Sequence, residues 1–315
     1  MNAVGTAPGG GGGAPPIEVS GLVKRFGEVV AVAGISFRVD RGETVALLGP
    51  NGSGKTTTLK CAAGLLRPDA GAVLVAGFDL RAEPRAARRR FTFLPQQASF
   101  AAALTAREVV AFHGRLRRLP AARVEAALEL AGLGGEAGER KVAELSGGMR
   151  QRLSLAVAEL PEVELMLLDE PTAALDPEAA LAFRELARGW RRAGRALLLS
   201  THRLTDVQEL ADRVVVLVGG EPVVAETIAE LRARLRRYSV LRVDLAEPGP
   251  RHRAAALAAG AERADLNGRS LVVQAAEERR LPILEALGAL GPVRGFATEE
   301  PSLERIYLEY VHGAG

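Results

Sequence analysis

Residues 43–65 read ETVALLGPNGSGKTTTLKCAAGL, and the order of residue types in this stretch decides the fold. TVALL is a buried strand, a glycine-punctuated loop follows, and a helix is expected from Lys55 to Leu65. The loop, Gly49–Thr57, fits G-x-x-x-x-G-K-[ST] in full and has the strand before and helix after that the pattern requires. Gly49, Gly52 and Gly54 let the backbone fold inward around a phosphate chain, with Pro50, Asn51, Ser53 and Thr57 completing the loop. Lys55 sets an ammonium against the β- and γ-phosphate oxygens, and Thr56 offers a hydroxyl to Mg²⁺. The occupant expected of this loop is a phosphate chain accompanied by Mg²⁺.

Downstream, LMLLDEP (165–171) ends an apolar strand on two carboxylates. Asp169 is placed to hold the metal through water, and Glu170 to orient or deprotonate an attacking water. ALLLSTH (196–202) ends another strand on His202, at the strand edge where ligands gather in α/β sheets. Strands alternating with helices from residue 43 to 220 argue for a mainly parallel, doubly wound α/β sheet. Between its halves lies a helical insert, from AREVVAFHGRLRRL to AARVEAALELAGL.

A second anion nest follows that insert. ELSGGMRQRLSLA (144–156) puts Ser146, Gly147 and Gly148 at a helix N-terminus, where backbone N–H groups attract phosphate. One chain thus carries two phosphate cradles.

Composition bounds the rest. The chain has 315 residues, 48% hydrophobic and 25% charged, enough for a catalytic domain with an appendage. Its apolar runs are strand-length, far short of the ~20 residues of a membrane span. MNAVGTAPGGGGGAPP (1–16) has no signal-peptide pattern and reads as a disordered lead-in. A single cysteine excludes an internal disulfide framework. The net charge is +3 and nearly all the positive charge is arginine, without an aromatic-interleaved basic stripe, so no nucleic-acid partner is expected.

Taken in order, these motifs spell a family. The chain resembles the ATP-binding subunit of ABC transporters over roughly Ile17 to Leu235. The resemblance rests on Walker A (49–56), LPQQ with Gln96, the signature LSGGMRQR (145–152), Walker B (165–170), ALDP with Asp176, and His202. It implies a P-loop fold with a mainly parallel core sheet, an antiparallel β subdomain and a helical subdomain at about 97–160. It also implies that two subunits meet head to tail, each ATP lying between the Walker A of one and Ser146, Gly147, Gly148 and Gln151 of the other. By position, Phe26 would stack on adenine, Gln96 (with Gln97 ranked second) would sense nucleotide and metal, and Asp176 would support the contact across the dimer. The insert after Gln96 would form a groove for a cytoplasmic helix of a separately encoded membrane permease. That places the protein peripherally on the inner face of the plasma membrane, with a second ATPase subunit, expected to be a homodimer, as its other partner.

The end of the chain narrows the group. EEPSLERIYLEYV (299–311) resembles the terminal helix of ATPases of ABC-2-type exporters. FLPQQASF and SGGMRQRLSLAVA also resemble the ATPase that processes copper for nitrous-oxide reductase, although the chain has no Cys, His or Met cluster for copper. Residues 236–315 read as an α+β accessory domain of order β-α-β-β-α-β with a closing helix, set off by the basic helix LRARLRR. Two other readings compete. A soluble ABC ATPase acting on ribosomes or DNA would carry paired ATPase halves or a long coiled-coil insert. A nucleotide switch without turnover would lack a carboxylate at Glu170.

Overall fold

The computed structural model describes residues 13–236 and 240–299. Residues 1–12 of the expected lead-in at 1–16, and the closing helix at 302–311, lie outside them. Two compact units divide between Ala225 and Glu226.

The first unit opens with β1 (Ile17–Phe26), β2 (Val29–Val39) and β3 (Thr44–Leu48), followed by α1 (Lys55–Ala62). Next come β4 (Ala70–Val75), β5 (Phe78–Asp79), α2 (Pro84–Arg88) and β6 (Phe91–Leu94). The insert contributes α3 (Ala106–Leu116) and α4 (Ala121–Leu130), and α5 (Gly147–Glu159) carries the second nest. Then follow β7 (Leu165–Asp169), α6 (Pro177–Arg192), β8 (Ala196–Thr201), α7 (Leu204–Leu210), β9 (Arg213–Val218) and β10 (Glu221–Thr227).

The core sheet runs β10-β9-β3-β8-β7-β6, and β3, β6, β7, β8 and β9 pair parallel. Buried on both faces, β3, β7 and β8 are apolar almost throughout, as parallel strands require. A second sheet, β2-β1-β4-β5, is antiparallel. Its alternating Ile17, Val19, Ile35, Phe37 and Val73 close over α1 and one face of the core sheet. The helical insert has its own core, with Val109, Val110, Leu128, Leu133 and Leu153 packing α3, α4 and α5 together. Thr105 and Glu108 form a capping box that starts α3, and Asp176 followed by Pro177 starts α6. β10, EPVVAET, is a strand not among those expected from the sequence, and it contains Pro222. At the end of the sheet order a proline costs little.

The second unit contains α8 (Ile228–Arg236), β11 (Val240–Leu245), α9 (Pro250–Ala258), β12 (Arg263–Asn267), β13 (Ser270–Gln274), α10 (Arg280–Gly288) and β14 (Val293–Glu299). Grouping α8 here moves the boundary ten residues ahead of the expected 235/236. The sheet order is β12-β13-β11-β14, antiparallel at every pairing, which is the split β-α-β arrangement. Leu241, Val243 and Leu245 alternate into a core with Leu271, Val273, Ile283 and Leu287.

Candidate functional site

β3 runs through the middle of the core sheet and releases the chain at Leu48 into a loop whose shape its own neighbours enforce. A Cβ on Gly49 would stand 2.3 Å from the Leu217 carbonyl oxygen, and one on Gly54 equally close to that of Ala31. Gly54 also has φ of +98°, where an L side chain is strained. Lys55 is buried, and its ammonium donates to the carbonyls of Gly49 at 2.8 Å and Pro50 at 3.1 Å. Burial pulls its pKa below the ordinary lysine value, with Glu170 and Asp169 opposing that pull. Ser53 Oγ is buried and, among the described residues, has no hydrogen-bond partner. No side chain caps α1. An unmatched hydroxyl beside an uncapped helix N-terminus suits the oxygens of a phosphate.

The second half of the site is set by the register of β7 on β8, which places Asp169 opposite Ser200. Thr56 Oγ1 donates to Asp169 Oδ1 at 2.9 Å, and Ser200 Oγ donates to the same oxygen at 2.6 Å. The hydroxyl of Thr56 against a carboxylate is the hard oxygen set that Mg²⁺ prefers, so these residues fit that ion. Glu170, buried, adopts φ of +48°, the left-handed region that non-glycine residues rarely occupy. The turn directs its carboxylate to His202, Nδ1 standing 2.9 Å from Oε2, while Oε1 lies 3.9 Å from the Lys55 ammonium. His202 is itself half-exposed. Lys55, Thr56, Asp169, Glu170 and His202, far apart in sequence, thus meet at one end of the core sheet.

Other expected residues lie elsewhere. Phe26 is 50% exposed at the end of β1, with the Lys24 ammonium 5.3 Å from its ring centroid. Gln96 and Gln97 are exposed and line a cavity with Gly147, Arg150, Gln151 and Ser154, on the side of α5. Ser146 caps α5 by accepting from Met149 N–H at 3.2 Å, leaving Ser146 and Gly147 exposed. Two further expected residues are also engaged within their own chain. Gln151, although it lines that cavity, is only 5% exposed and donates to the Pro171 carbonyl at 3.0 Å, tying α5 to the segment after Glu170. Asp176 is engaged within its own chain, accepting from Ala179 N–H at 2.8 Å as the cap of α6, with Arg152 4.0 Å away.

Sequence reasoning missed three groups around this site. One is Ser200. The others are Asp206 and Arg184, a buried ion pair in which Arg184 donates from Nε at 3.2 Å and Nη2 at 2.9 Å. Asp206 also accepts from Thr172, so α6 and α7 are fastened to the chain just beyond Glu170. The segment TDVQ around Asp206 reads as an ordinary solvated helix face, and carries no signal of burial.

The sequence model of the ABC transporter family matches residues 32–173, from β2 through Walker B. The daunorubicin/doxorubicin resistance ATP-binding protein DrrA of Streptomyces peucetius is 40% identical over 232 residues, 73% of this chain and 70% of that one. The chain belongs to the ATP-binding proteins of ABC transporters. The doxorubicin resistance ATP-binding protein DrrA of Mycobacterium tuberculosis is 33% identical to this ABC ATPase and extends through the second unit, covering 93% of it and 92% of its own length. Among solved structures, an ATP-binding cassette captured as a dimer in a post-hydrolysis state with ADP and Pi superposes with a TM-score of 0.61 at 26% identity, covering 67% of this chain and 98% of that one. The first unit is therefore an ABC ATPase in fold and in activity: it binds and hydrolyses ATP.

Proposed function

We propose that this ABC ATPase turns over Mg-ATP only in a head-to-tail pair, and that the pair drives separately encoded permease subunits of an exporter. The observation that carries the reading is at Gly147. A Cβ there would meet nothing within 4 Å, so the chain's own packing does not call for a glycine. A bare backbone at an exposed helix N-terminus serves something that approaches from outside, and the γ-phosphate presented by a second copy fits.

In that arrangement Lys55 and the loop N–H groups grip the β- and γ-phosphates, and Phe26 offers its exposed face to adenine. Thr56, Asp169 and Gln96 would hold Mg²⁺, which neutralises phosphate charge. Glu170 accepts a proton from the attacking water, and His202 fixes the Glu170 carboxylate while reaching the γ-phosphate. Ser146, Gly147 and Gly148 of the partner subunit complete the cage. ATP then joins the two subunits, and cleavage loosens them.

A cleft lined by Leu65, Phe93, Phe100, His113 and Arg117 opens beside α3 and α5, and supports docking of a short permease helix. No helix among the described residues is long and apolar enough to cross a membrane. The relatives named for drug resistance support export; a soluble ABC ATPase is the less favoured reading. Membrane fractionation separates them, since co-sedimentation with a permease is expected here.

The central test is Glu170→Gln. Turnover falls by about 10²–10⁴-fold, the usual contribution of a positioned base, while ATP-dependent dimers accumulate. Normal turnover in that variant would overturn the role of Glu170.

A further inference from the structure

We infer that Ser200 is a positioning residue for ATP hydrolysis, holding the two Walker B carboxylates in their working geometry; this rests on the role proposed for Glu170. A serine hydroxyl has one donor and two acceptor sites. Here both kinds are used on adjacent residues. Ser200 Oγ donates to Asp169 Oδ1 at 2.6 Å and accepts from the Glu170 N–H at 3.0 Å. Ser200 is completely buried, so neither bond competes with water.

The second bond falls where the backbone needs help. At Glu170 the chain leaves the ladder and enters the left-handed region at φ +48°, a conformation that persists only when its surroundings impose it. The Glu170 N–H has a second acceptor in the Ser200 carbonyl at 3.2 Å, which continues the strand pairing. The hydroxyl lies across the turn and ties it to the side chain of the preceding residue. Asp169 Oδ1 in turn receives both Thr56 and Ser200 hydroxyls, which fixes its rotamer from two sides. One hydroxyl thereby sets the direction of Asp169 by its side chain and of Glu170 by its backbone. The Glu170 carboxylate that reaches His202 and Lys55 depends on that turn.

The inference separates binding from turnover. Lys55 and the glycine loop, which grip nucleotide, do not bond to Ser200, so Ser200→Ala should leave the ATP dissociation constant within about twofold. The turnover number should fall about 10–100-fold, as expected when a reacting group is displaced by a fraction of an ångström to 1 Å. Ser200→Thr, which keeps the hydroxyl, should recover most of it. Because a methyl added at a fully buried site can disturb packing, a double-variant cycle provides a second measurement. In the Glu170→Gln background, Ser200→Ala should lower the residual rate by less than about threefold, because residues acting as a unit are not additive. Full turnover in Ser200→Ala, an ATP affinity that falls in step with turnover, or full additivity in the cycle would each overturn the inference. Glu170→Gln measured alongside distinguishes the two claims. If Glu170→Gln is inactive and Ser200→Ala is normal, only the assignment of Ser200 fails; if Glu170→Gln is itself normal, the underlying reading fails.

Discussion

The two phosphate cradles of this chain are built on opposite plans. Around the first, two of three glycines answer to the protein's own atoms: Gly49 and Gly54 sit where any side chain would strike the carbonyl of Leu217 or Ala31, while Gly52 is required by its φ of +82°. Around the second, Gly147 faces open space and nothing in its own chain constrains it. The first loop is a finished socket, and the second is half of one. A glycine whose reason is internal and a glycine whose reason is external look identical in a sequence, and only the packing around each tells them apart.

Alanine at each glycine gives the sharpest contrast. Gly54→Ala combines a steric clash with a left-handed backbone and should destabilise the first unit by about 3 kcal/mol or more, read by urea unfolding. Gly147→Ala should leave stability within about 0.5 kcal/mol, as for an unpacked surface position. Its ATPase rate should nonetheless drop about 10–100-fold, because the added methyl displaces the partner's phosphate. Equal unfolding midpoints for the two variants, or an active Gly147→Ala, would erase the distinction.

A smaller effect concerns the link between the cradles. Gln151 joins the helix of the second nest to the segment beyond Glu170 of the first. Gln151→Ala leaves the buried Pro171 carbonyl without this donor and should cost about 1–2 kcal/mol in chemical unfolding. A loss below a few tenths would mean that the two regions are not joined there.

The smallest effect is a pH dependence confined to the first cradle. Burial lowers the Lys55 pKa in the free protein, and bound phosphates favour the charged ammonium, raising it again. ATP affinity is therefore full while Lys55 is protonated in the free state. It declines as pH rises through that lowered pKa, on the acidic side of the ordinary lysine value. The second nest contributes backbone N–H groups and a serine hydroxyl, so Gly147→Ala should show the same alkaline decline. ATP titrations across the alkaline range check this, and an affinity that rises with pH would contradict it.

How much of this was legible in the sequence follows the same internal and external divide. GPNGSGKTT, LMLLDE and ALLLSTH each carry their signal within a few residues, and the structure gathers Lys55, Asp169, Glu170 and His202 as expected. Thr105 with Glu108 and Asp176 with Pro177 announce their helices by local capping chemistry. What stayed hidden depends on register and burial. Ser200 is an unremarked hydroxyl until β7 and β8 align and bring it opposite Asp169, 31 residues away. Gln151, placed by the signature at the partner's ATP, is turned inward by the packing of α5 to bond the Pro171 carbonyl, which no local pattern announces. Asp176 matched a position at the dimer contact, yet its nearest demand is the open N-terminus of α6.

Cys61 adds a practical consequence. The thiol is buried in α1, and burial pushes its pKa up to about 11, so at neutral pH it is almost wholly un-ionised and shielded. With no other cysteine in the sequence, the folded protein is expected to react little with thiol-directed labels. A cysteine introduced on the open face near Ser146 would be the reactive one, giving a spectroscopic reporter of subunit encounter without first stripping the native chain.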